Sequence, residues 1–510
     1  MAQMLFVVAP FDYGDMQGAS PIYPSVGLAT VCACLERAGY SVKILDFLAT
    51  GYNEQEFLTA LQDKELKVMG VSAVGATILK SFELCQKAKA LRPDIKTIAG
   101  GPHLTILPDH TMAKGAIDYG IIGEGDLTAV ELVDFIVKKK GRLEDIKGLC
   151  YMKDGSLVMN EKRPWIESLD DLPFPAYHLL PLNKYRAYAM FDNGRRTLSM
   201  VTSRGCPFLC TFCCSSKVFG GRWRAMSPPK VIEHVKRLYD EFGVRHIYFE
   251  DDEFTVNHER VIALCQGIID SKLDVTWDCL TRVSHVNDKL LSIMAKAGCR
   301  SILYGIETGY QEGIKKIKKG ITLEQATRAV RLTQKYGIRV KATFIIGFPW
   351  EGRKEVLQTI DFAAKLGADY PSVQILCPFP TTEIYETLRN DDLFIPDFSV
   401  DMYTAILSPT TLVKTHYLSS EELVQLLGYA YRRLFLRPQY IFRKLMDMNS
   451  FNDFKRHVEA GFSVLKLSMK SSLYKNKDAA PVALAAPVAT QGQEDMGLIQ
   501  IGKGAAPQVK

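Results

Sequence analysis

Short apolar runs alternate with helical segments along most of the chain, and this alternation constrains the fold more than any other feature. Within the first 140 residues there are five runs of strand length, MLFVVAP, SVKILDF, VMGVSAVG, IKTIAGGPH and DYGIIGEG. Strands that are connected through helices pair in parallel. The sequence therefore predicts an α/β fold that begins with a doubly wound parallel sheet, in which ligands bind at the carboxyl ends of the strands.

A second alternating region lies between residues 195 and 400. Its predicted strands are TLSMVTS, RHIYFEDD, VTWDCLTR, RSILYGIETG, VKATFIIGFP and PSVQILCPFP. Two of its helices carry start signals, an N-cap at Ser227 and a capping box between Thr322 and Gln325. Six strand–helix units predict a partial (β/α)6 barrel, with its chemistry on the loops that follow the strands.

The remaining segments divide the chain. A Pro- and Asp-rich stretch separates the two alternating regions, an aromatic and basic helical stretch follows the second, and the end is rich in Ala, Pro and Gln. The predicted parts are a first domain at 1–140, a linker at 141–194, a barrel at 195–400, a helical segment at 401–475 and a disordered tail at 476–510.

Charge and hydropathy exclude several functions. The chain has 63 basic and 57 acidic residues, and we see no long basic tract that would follow a phosphate backbone, so nucleic-acid binding is not expected. No apolar run approaches the length of a membrane-spanning helix. The opening MAQMLFVVAP has no export signal, which predicts a cytoplasmic protein whose twelve cysteines are reduced.

The stretch SRGCPFLCTFCC concentrates four of those cysteines. Cys206, Cys210 and Cys213 have the spacing Cys-x-x-x-Cys-x-x-Cys. A structural zinc site usually takes two separated pairs of ligands, and a redox pair would leave Cys206 without a role. Three thiolates suit an iron–sulfur cluster with one iron open to a ligand, and Cys214 is expected to be a buried thiol.

The run CPFLCTFC resembles the cysteine motif of the radical S-adenosylmethionine superfamily. The segments FEDDEFT, YGIETG and FIIGFPWEG follow in the order expected for that domain. In the first domain YPSVGLATVCACLERAGY, GGPH and GEGD resemble a cobalamin-binding domain. About 460 residues are thus similar to the class that joins both cofactors, which includes methyltransferases and the anaerobic magnesium-protoporphyrin ester cyclase.

This resemblance implies three cofactors, a 4Fe-4S cluster, S-adenosylmethionine and cobalamin. It assigns the cluster to Cys206, Cys210 and Cys213. It assigns the S-adenosylmethionine site to Phe212, Arg282, Gly305, Glu307, Gly309, Gly347 and Pro349. It assigns cobalamin contacts to Ser72, Gly75, Gly100, Gly123 and Glu124.

No Asp-x-His-x-x-Gly motif occurs, so cobalamin is expected to bind without a protein histidine on cobalt. His103 in GGPHLT is interpreted as a turn residue. The acidic run at Glu250, Asp251 and Asp252 is expected to direct at least one carboxyl into the site, and Asp252 is the catalytic candidate. Cys377, after the last predicted barrel strand, is interpreted as either a donor to the substrate or a small core residue.

The resemblance implies a C-methyltransferase that uses methylcobalamin to methylate an unactivated carbon of a hydrophobic substrate, such as a bacteriochlorophyllide-type tetrapyrrole. The alternatives are a tetrapyrrole cyclase and a cobalamin or iron–sulfur sensor without turnover. A ferredoxin or flavodoxin is the expected electron donor. The aromatic helical segment either covers the substrate, touches a membrane surface or packs under the barrel.

Overall fold

The computed structural model describes residues 2–11, 21–187, 194–396, 398–405, 411–438 and 440–442. Its strands in the first half are β1 (Met4–Val8), β2 (Val42–Asp46), β3 (Val68–Ser72), β4 (Lys96–Gly100), β5 (Tyr119–Ile121), β6 (Leu149–Lys153) and β7 (Ser156–Met159). The strands of the second half are β8 (Thr197–Met200), β9 (Ser203–Arg204), β10 (Arg224–Ala225), β11 (His246–Phe249), β12 (Thr276–Thr281), β13 (Cys299–Glu307), β14 (Arg339–Ile346) and β15 (Tyr370–Ile375).

The helices are interspersed with these strands. The first half contains α1 (Val26–Arg37), α2 (Phe47–Thr50), α3 (Glu54–Leu61), α4 (Ile78–Leu91), α5 (Pro102–Ile106), α6 (Pro108–Lys114) and α7 (Gly125–Lys138). The second half contains α8 (Ser215–Val218), α9 (Pro228–Phe242), α10 (His258–Asp270), α11 (Asp288–Lys296), α12 (Gln311–Lys316), α13 (Leu323–Lys335), α14 (Arg353–Lys365), α15 (Glu383–Asn390) and α16 (Ser420–Phe435).

The first sheet has the strand order β2-β1-β3-β4-β5-β6-β7. The strands from β2 to β5 pair in parallel. Alternate residues of β1 enter two different cores, Met4 and Phe6 on the side of α1 and α7, and Leu5 and Val7 on the side of α3 and α4. Helices therefore cover both faces, and the prediction of a doubly wound parallel sheet is confirmed.

The segment 141–194 contributes to this sheet as well as connecting the domains. Its strands β6 and β7 form an antiparallel hairpin that extends the sheet beyond β5. The residues at 155–160 alternate weakly in hydropathy, and a two-strand extension of this kind takes its stability from the neighbouring edge rather than from a core of its own.

The second sheet contains six parallel strands in the order β15-β14-β13-β12-β11-β8. Trp277, Tyr304 and Phe344 face the outer helices, because they contact Ala297, Thr333 and Phe362. Residues at the alternate positions face the concave side of the sheet. The partial (β/α)6 barrel is thus confirmed, and the loops after its strands meet at one end.

The predicted helix signals are also confirmed. Ser227 accepts a hydrogen bond from the amide of Lys230, and Thr322 and Gln325 form the capping box. Helix α16 packs against α14 and β15, so it lies against the barrel, and of the three interpretations this agrees best with a helix that packs under the barrel. The rest of the predicted helical segment from residue 443 onward, and the predicted tail 476–510, lie outside the described residues. In the part of the chain that is described, we find no helix long and apolar enough to span a bilayer.

Candidate functional site

A cavity of about 420 Å³ lies between the two domains, at the carboxyl ends of the strands of the first sheet. The first domain contributes residues that follow β3, β4 and β5. The barrel contributes residues that follow β8 and β11. The cavity is therefore bordered by the ligand-binding edges of both sheets, as their topologies require.

The predicted cobalamin contacts fall mainly on this cavity. Ser72, Gly100, Gly123 and Glu124 line it, whereas Gly75 is not among the lining residues. A Cβ on Gly75 would lie 3.6 Å from Cβ of Tyr403, so this glycine faces the segment after the barrel instead of the cavity. At Gly100 an added Cβ would meet only ordinary contacts with Ile121. Gly100 and Gly123 thus leave these two strand ends without a side chain on the cavity.

Residues 205–214 form the cysteine loop, which is held at both of its flanks. The amide of Thr211 donates to the carbonyl of Ile317 at 3.1 Å, and the carbonyl of Thr211 accepts from Ile384 at 3.1 Å. The three cysteines of the predicted motif are partly exposed, and all twelve cysteines of the chain are free thiols. Burial raises the pKa of Cys206 to about 11 and raises that of Cys213 as well.

The donor set of the loop fits a cluster better than a single ion. Within the described residues no group of three or more His, Cys, Asp or Glu side chains is arranged to hold one metal ion. In a cubane each cysteine binds a different iron, so the three sulfurs need not converge on one point. A metal would offset the burial that disfavours the thiolates of Cys206 and Cys213.

Arg282 lies directly beside this loop. Its Nη1 is 3.7 Å from Sγ of Cys210, and its guanidinium stacks over the ring of Phe208 at 3.8 Å. Its Nη2 donates to the carbonyl of Lys319. The predicted partner of this cation is the carboxylate of S-adenosylmethionine, and the structure also places it within hydrogen-bonding distance of the sulfur of Cys210.

Glu307 forms a buried ion pair with Lys319, whose Nζ donates to Oε1 at 2.8 Å. Glu307 ends β13 with a φ of +76°, and the pairing of β13 with β14 shifts register between Gly305 and Glu307. A Cβ on Gly305 would collide with the carboxyl of Glu307. A non-glycine residue in the left-handed region at a strand end is uncommon, and such strain concentrates at functional sites.

Lys319 is a residue that the sequence did not single out. It is buried, and its ammonium also lies 5.9 Å from the centre of the Phe212 ring. Burial lowers the pKa of Lys319, but the charges of Glu307 and Cys210 outweigh that effect and raise it. In the sequence it is one of four lysines in KKIKKG, so only its burial distinguishes it from a solvated charge.

The turn after β14 is shaped by a buried carboxyl. Oε2 of Glu351 accepts from the amides of Gly347 at 2.7 Å and of Phe348 at 3.0 Å. Gly347 has a φ of +93°, and the carbonyl of Pro349 accepts from His416 at 3.0 Å. Hydrogen bonds from within the protein thus fix the backbone of Gly347 and Pro349. The sequence analysis did not assign a role to Glu351.

Gly309 has a packing role in the structure. An added Cβ would lie 2.6 Å from Cα of Thr359 and 2.7 Å from Cβ of Phe362, both on α14. Its amide donates to Oγ1 of Thr359 at 3.0 Å. The close approach of the strand end to α14 therefore requires a glycine, independently of any cofactor.

The members of the acidic run after β11 face two different parts of the protein interior. Glu250 and Asp252 line the interdomain cavity, and Asp252 accepts from Ser215 at 2.6 Å. Burial raises the pKa of Glu250 to about 8 and also raises that of Asp252. Asp251 instead accepts from the amide and the hydroxyl of Thr202, at 2.6 and 2.5 Å, and so supports the chain before the cysteine loop.

Cys377 follows β15, and burial raises its pKa to about 12. The neighbouring Cys214 raises the pKa of Cys377 further, and both thiols raise the pKa of Tyr403. The three groups therefore lie near one another. Cys214 is partly exposed rather than fully buried as predicted, because it caps the short helix α8 at the edge of the loop.

His103 lies outside the residues that line the cavity. It is buried in α5, and its Nε2 is 3.1 Å from Nδ1 of His110, whose Nε2 is 2.9 Å from Asp401. Burial and the neighbouring His110 lower the pKa of His103 to about 4. The two histidines therefore link the first domain to Asp401, in the segment after the barrel. The predicted turn residue thus lies in a short helix and takes part in a contact between segments.

Comparisons with known proteins match both domains. The Radical SAM superfamily matches residues 200–363, and the B12 binding domain family matches residues 18–133. An uncharacterised methyltransferase of Pyrococcus horikoshii is 35% identical over 451 residues, which cover 88% of this chain and 96% of the relative. The chain belongs to the cobalamin-binding radical S-adenosylmethionine family.

Other members of the family agree with this assignment. The anaerobic magnesium-protoporphyrin IX monomethyl ester cyclase of Rubrivivax gelatinosus is 27% identical, over 86% of this chain and 78% of the cyclase. The structure of the cobalamin-dependent S-adenosylmethionine radical enzyme OxsB, with aqua-cobalamin and S-adenosylmethionine bound, matches with a TM-score of 0.71 at 17% identity. That match covers 92% of this chain and 72% of OxsB, and it shows a shared fold.

This family member is a cobalamin-dependent radical S-adenosylmethionine methyltransferase that takes a 4Fe-4S cluster, S-adenosylmethionine and cobalamin. The cysteine loop has three thiols that suit a cluster, and glycines follow the strands of the first sheet along the interdomain cavity. The residues present thus fit the cofactors that the family uses.

Proposed function

We propose that the enzyme methylates an unactivated carbon of a hydrophobic small molecule, and that a tetrapyrrole side chain is the first substrate class to test. The observation that carries the proposal is the interdomain cavity, which is bordered by the strand ends of both cofactor domains. A substrate bound there would lie between the two cofactors. A sensor without turnover would have no need of this shared cavity.

When bound, the cluster and S-adenosylmethionine supply a radical that removes a hydrogen atom, and cobalamin supplies the methyl group. The protein holds and orients these groups. Cys206, Cys210 and Cys213 would bind the cluster, and Arg282 would stabilise the thiolate of Cys210. Glu307, held by its ion pair with Lys319, would offer a carboxylate to the hydroxyl or amino groups of S-adenosylmethionine.

Backbone groups at the strand ends would complete the cofactor sites. Gly305, Gly347 and Pro349 would border the S-adenosylmethionine site, and Gly309, which packs closely against α14, would support it. Ser72, Gly100 and Gly123 would contact cobalamin. A radical must also be shielded from water, so the bound substrate would have to fill the space between the domains.

The hydrophobic substrate class is supported by the lining of the cavity. Most of the lining side chains are apolar, including Phe6, Val71, Ile98 and Val201. The cyclase relative acts on a magnesium-protoporphyrin ester, and it aligns with both domains of this chain. A flat apolar ring bearing a few polar groups would therefore suit this space.

A cyclase-type reaction on the same substrate class is the second candidate. It is favoured by the alignment of the cyclase over 86% of this chain. The two candidates differ in what becomes of the substrate carbon, since methylation adds a carbon to the substrate and cyclisation does not. Product mass therefore separates them.

Two side chains are proposed as catalytic residues. Asp252 lines the cavity and is bonded to Ser215, so its carboxyl is oriented between the cavity and the cysteine loop. Cys377 lies at the end of the last barrel strand near Cys214 and Tyr403. A thiol at that position could donate a hydrogen atom to a substrate radical.

An external one-electron donor of the ferredoxin or flavodoxin class is proposed as the partner. Leu209, within the cysteine loop, is 67% exposed, so the bound cluster would lie near the protein surface. An electron can then enter from outside without crossing the barrel.

The test is anaerobic incubation of the reconstituted protein with S-adenosylmethionine, cobalamin and a reductant, followed by a substrate screen that starts with tetrapyrroles. The expected result is 5'-deoxyadenosine from the wild type but not from Cys210→Ala, together with methylated cobalamin and a product heavier by one methyl group. Deoxyadenosine without methylated cobalamin would refute the methylase proposal and favour the cyclase. Neither product from a protein with an intact cluster would refute both.

A further inference from the structure

Four largely buried charged residues join the two domains, and three of them, Glu124, Asp126 and Arg204, also line the cavity. Arg204 of β9 donates to both carboxyl oxygens of Asp126, from Nη1 to Oδ2 at 2.7 Å and from Nη2 to Oδ1 at 3.0 Å. Its Nη1 also lies 3.0 Å from Oε1 of Glu124. Arg224 of β10 donates to both oxygens of Glu124 at 2.9 Å. We call these four residues the interdomain ion pairs.

The two carboxylates belong to the first domain and the two guanidiniums to the barrel. Glu124 and Asp126 stand at the start of α7, where the helix dipole favours negative charge. The side chains of Glu124, Asp126 and Arg224 are 5% exposed or less, and that of Arg204 is 14% exposed. Ion pairs this well shielded from solvent hold a fixed geometry, unlike exposed pairs.

A third segment is bound into the same contact. Oε2 of Glu124 accepts from the amide of Ile166 at 2.8 Å, and Arg224 donates to the carbonyl of Ile166 at 2.7 Å. The ring of Trp165 lies against Gly123 on one domain and Gly220 on the other. Residues 165 and 166 of the linker therefore contact both domains beside the interdomain ion pairs.

The interdomain ion pairs lie close to the cysteine loop along the chain. Arg204 precedes Cys206 by two residues, and the intervening Gly205 has a φ of +84°. A Cβ at Gly205 would collide with the carbonyl of Arg222, so β9 and β10 close tightly at this point. The tight pairing of β9 with β10 therefore holds Arg204 in a fixed position relative to the cysteine loop.

We infer that the bidentate pair of Arg204 with Asp126 is a positioning device that sets the cluster-bound S-adenosylmethionine at the correct distance and angle to cobalamin. This inference rests on the proposed function. It assigns Arg204 and Asp126 a role only in the step that crosses between the domains. Reductive cleavage of S-adenosylmethionine takes place wholly in the barrel and should not depend on them.

The cross-domain step can be measured without the substrate. In this assay the sulfonium of S-adenosylmethionine gives its methyl group to cob(I)alamin, so the S–CH3 bond breaks and a Co–CH3 bond forms. Titanium(III) citrate supplies the electrons that produce Co(I), and S-adenosylhomocysteine is the other product. The cobalamin absorption spectrum reports this step, and 5'-deoxyadenosine reports the barrel step.

The variants are Asp126→Asn and Arg204→Lys, measured in the reconstituted full-length enzyme with bound cobalamin quantified. Lysine keeps the charge but cannot form two parallel bonds to one carboxylate, so Arg204→Lys tests the geometry even if Asp126→Asn fails to fold. Arg222→Ala is the matched control, because its ion pair with Glu167 also joins the linker to β10 but is exposed.

We expect methyl transfer per bound cobalamin to fall about tenfold to a hundredfold in both variants, the loss typical of an ångström-scale misplacement. Deoxyadenosine formation should stay within about twofold of wild type, and Arg222→Ala should match wild type in both steps. Unchanged methyl transfer, or an equal loss of both activities, would overturn the inference. A wild type that transfers no methyl group would instead refute the proposed function.

Discussion

Replacing Glu351 should separate two contributions of this carboxyl, its hydrogen bonds to the turn after β14 and its buried charge. The bonds to the amides of Gly347 and Phe348 come from a single oxygen, Oε2, while Oε1 accepts from the hydroxyl of Tyr310 at 3.2 Å. The side chain is fully buried. Alanine removes every acceptor, whereas glutamine can keep its carbonyl oxygen at the position of Oε2.

The expected loss differs between the two variants. Glu351→Ala leaves two buried amides without a partner, at about 1–3 kcal/mol each, so the free energy of unfolding should fall by about 2–6 kcal/mol. For a domain of this size that is a decrease in Tm of about 5–20 °C. Glu351→Gln should lose less than about 1 kcal/mol, because both amides keep their acceptor.

The charge adds a dependence on pH with a definite sign. Burial raises the pKa of Glu351 from 4.5 to about 7, against the opposing effect of the two amides, and Glu355 adds to the rise. Because the folded state then binds this proton more tightly than the unfolded state, the contribution of Glu351 to stability is largest at low pH. It should fall by roughly 3 kcal/mol as pH increases from 4.5 to about 7.

Thermal unfolding of wild type, Glu351→Gln and Glu351→Ala at pH 5 and pH 7.5 provides the measurement. The wild type should lose Tm relative to Glu351→Gln as pH rises, and the affinity for S-adenosylmethionine should fall in Glu351→Ala. An alanine variant within about 3 °C of wild type would refute the assigned hydrogen bonds. A wild type and glutamine variant with parallel pH profiles would refute the raised pKa.

Three further predictions test the other parts of the site. Cys210→Ser should lose most of the iron and sulfide of the reconstituted protein, whereas Cys214→Ser should keep them; equal iron in both variants would contradict the ligand assignment. Gly100→Leu should place a side chain in the interdomain cavity, so that bound cobalamin falls at least tenfold while iron content is unchanged, and normal cobalamin binding would argue against that cavity. Cys377→Ala should lower product formed per deoxyadenosine, with the buried Cys279→Ala as control, and full turnover would remove Cys377 from the catalytic residues.

Local sequence patterns were sufficient for most of the secondary structure, and they predicted the cluster ligands. The alternation of apolar runs and helical periodicity corresponds to both parallel sheets, because each pattern reflects which side of a single element is buried. The caps at Ser227 and Thr322 are equally local, since donor and acceptor lie three residues apart. Cys206, Cys210 and Cys213 lie in one loop, so their spacing indicates cluster chemistry without knowledge of the fold.

The site beyond the loop depended on tertiary structure. The sequence did not indicate which member of the acidic run would face the cavity, because the strand ends there and the alternation of β11 no longer applies. Lys319 reaches Glu307 only after α12 returns the chain to the end of β13. Weak alternation similarly concealed the hairpin of β6 and β7, which is stabilised by the edge of β5.

The contact between the domains illustrates the same division. By itself the sequence determined two parallel α/β sheets, their order, and a loop of three cysteines that suits a cluster. Only the tertiary structure brought Arg204 to Asp126, 78 residues away. This contact lies where the strand ends of the first sheet meet those of the barrel. The physical reason is that hydropathy periodicity records the burial of each element, whereas a pairing of distant charges depends on how two completed domains pack.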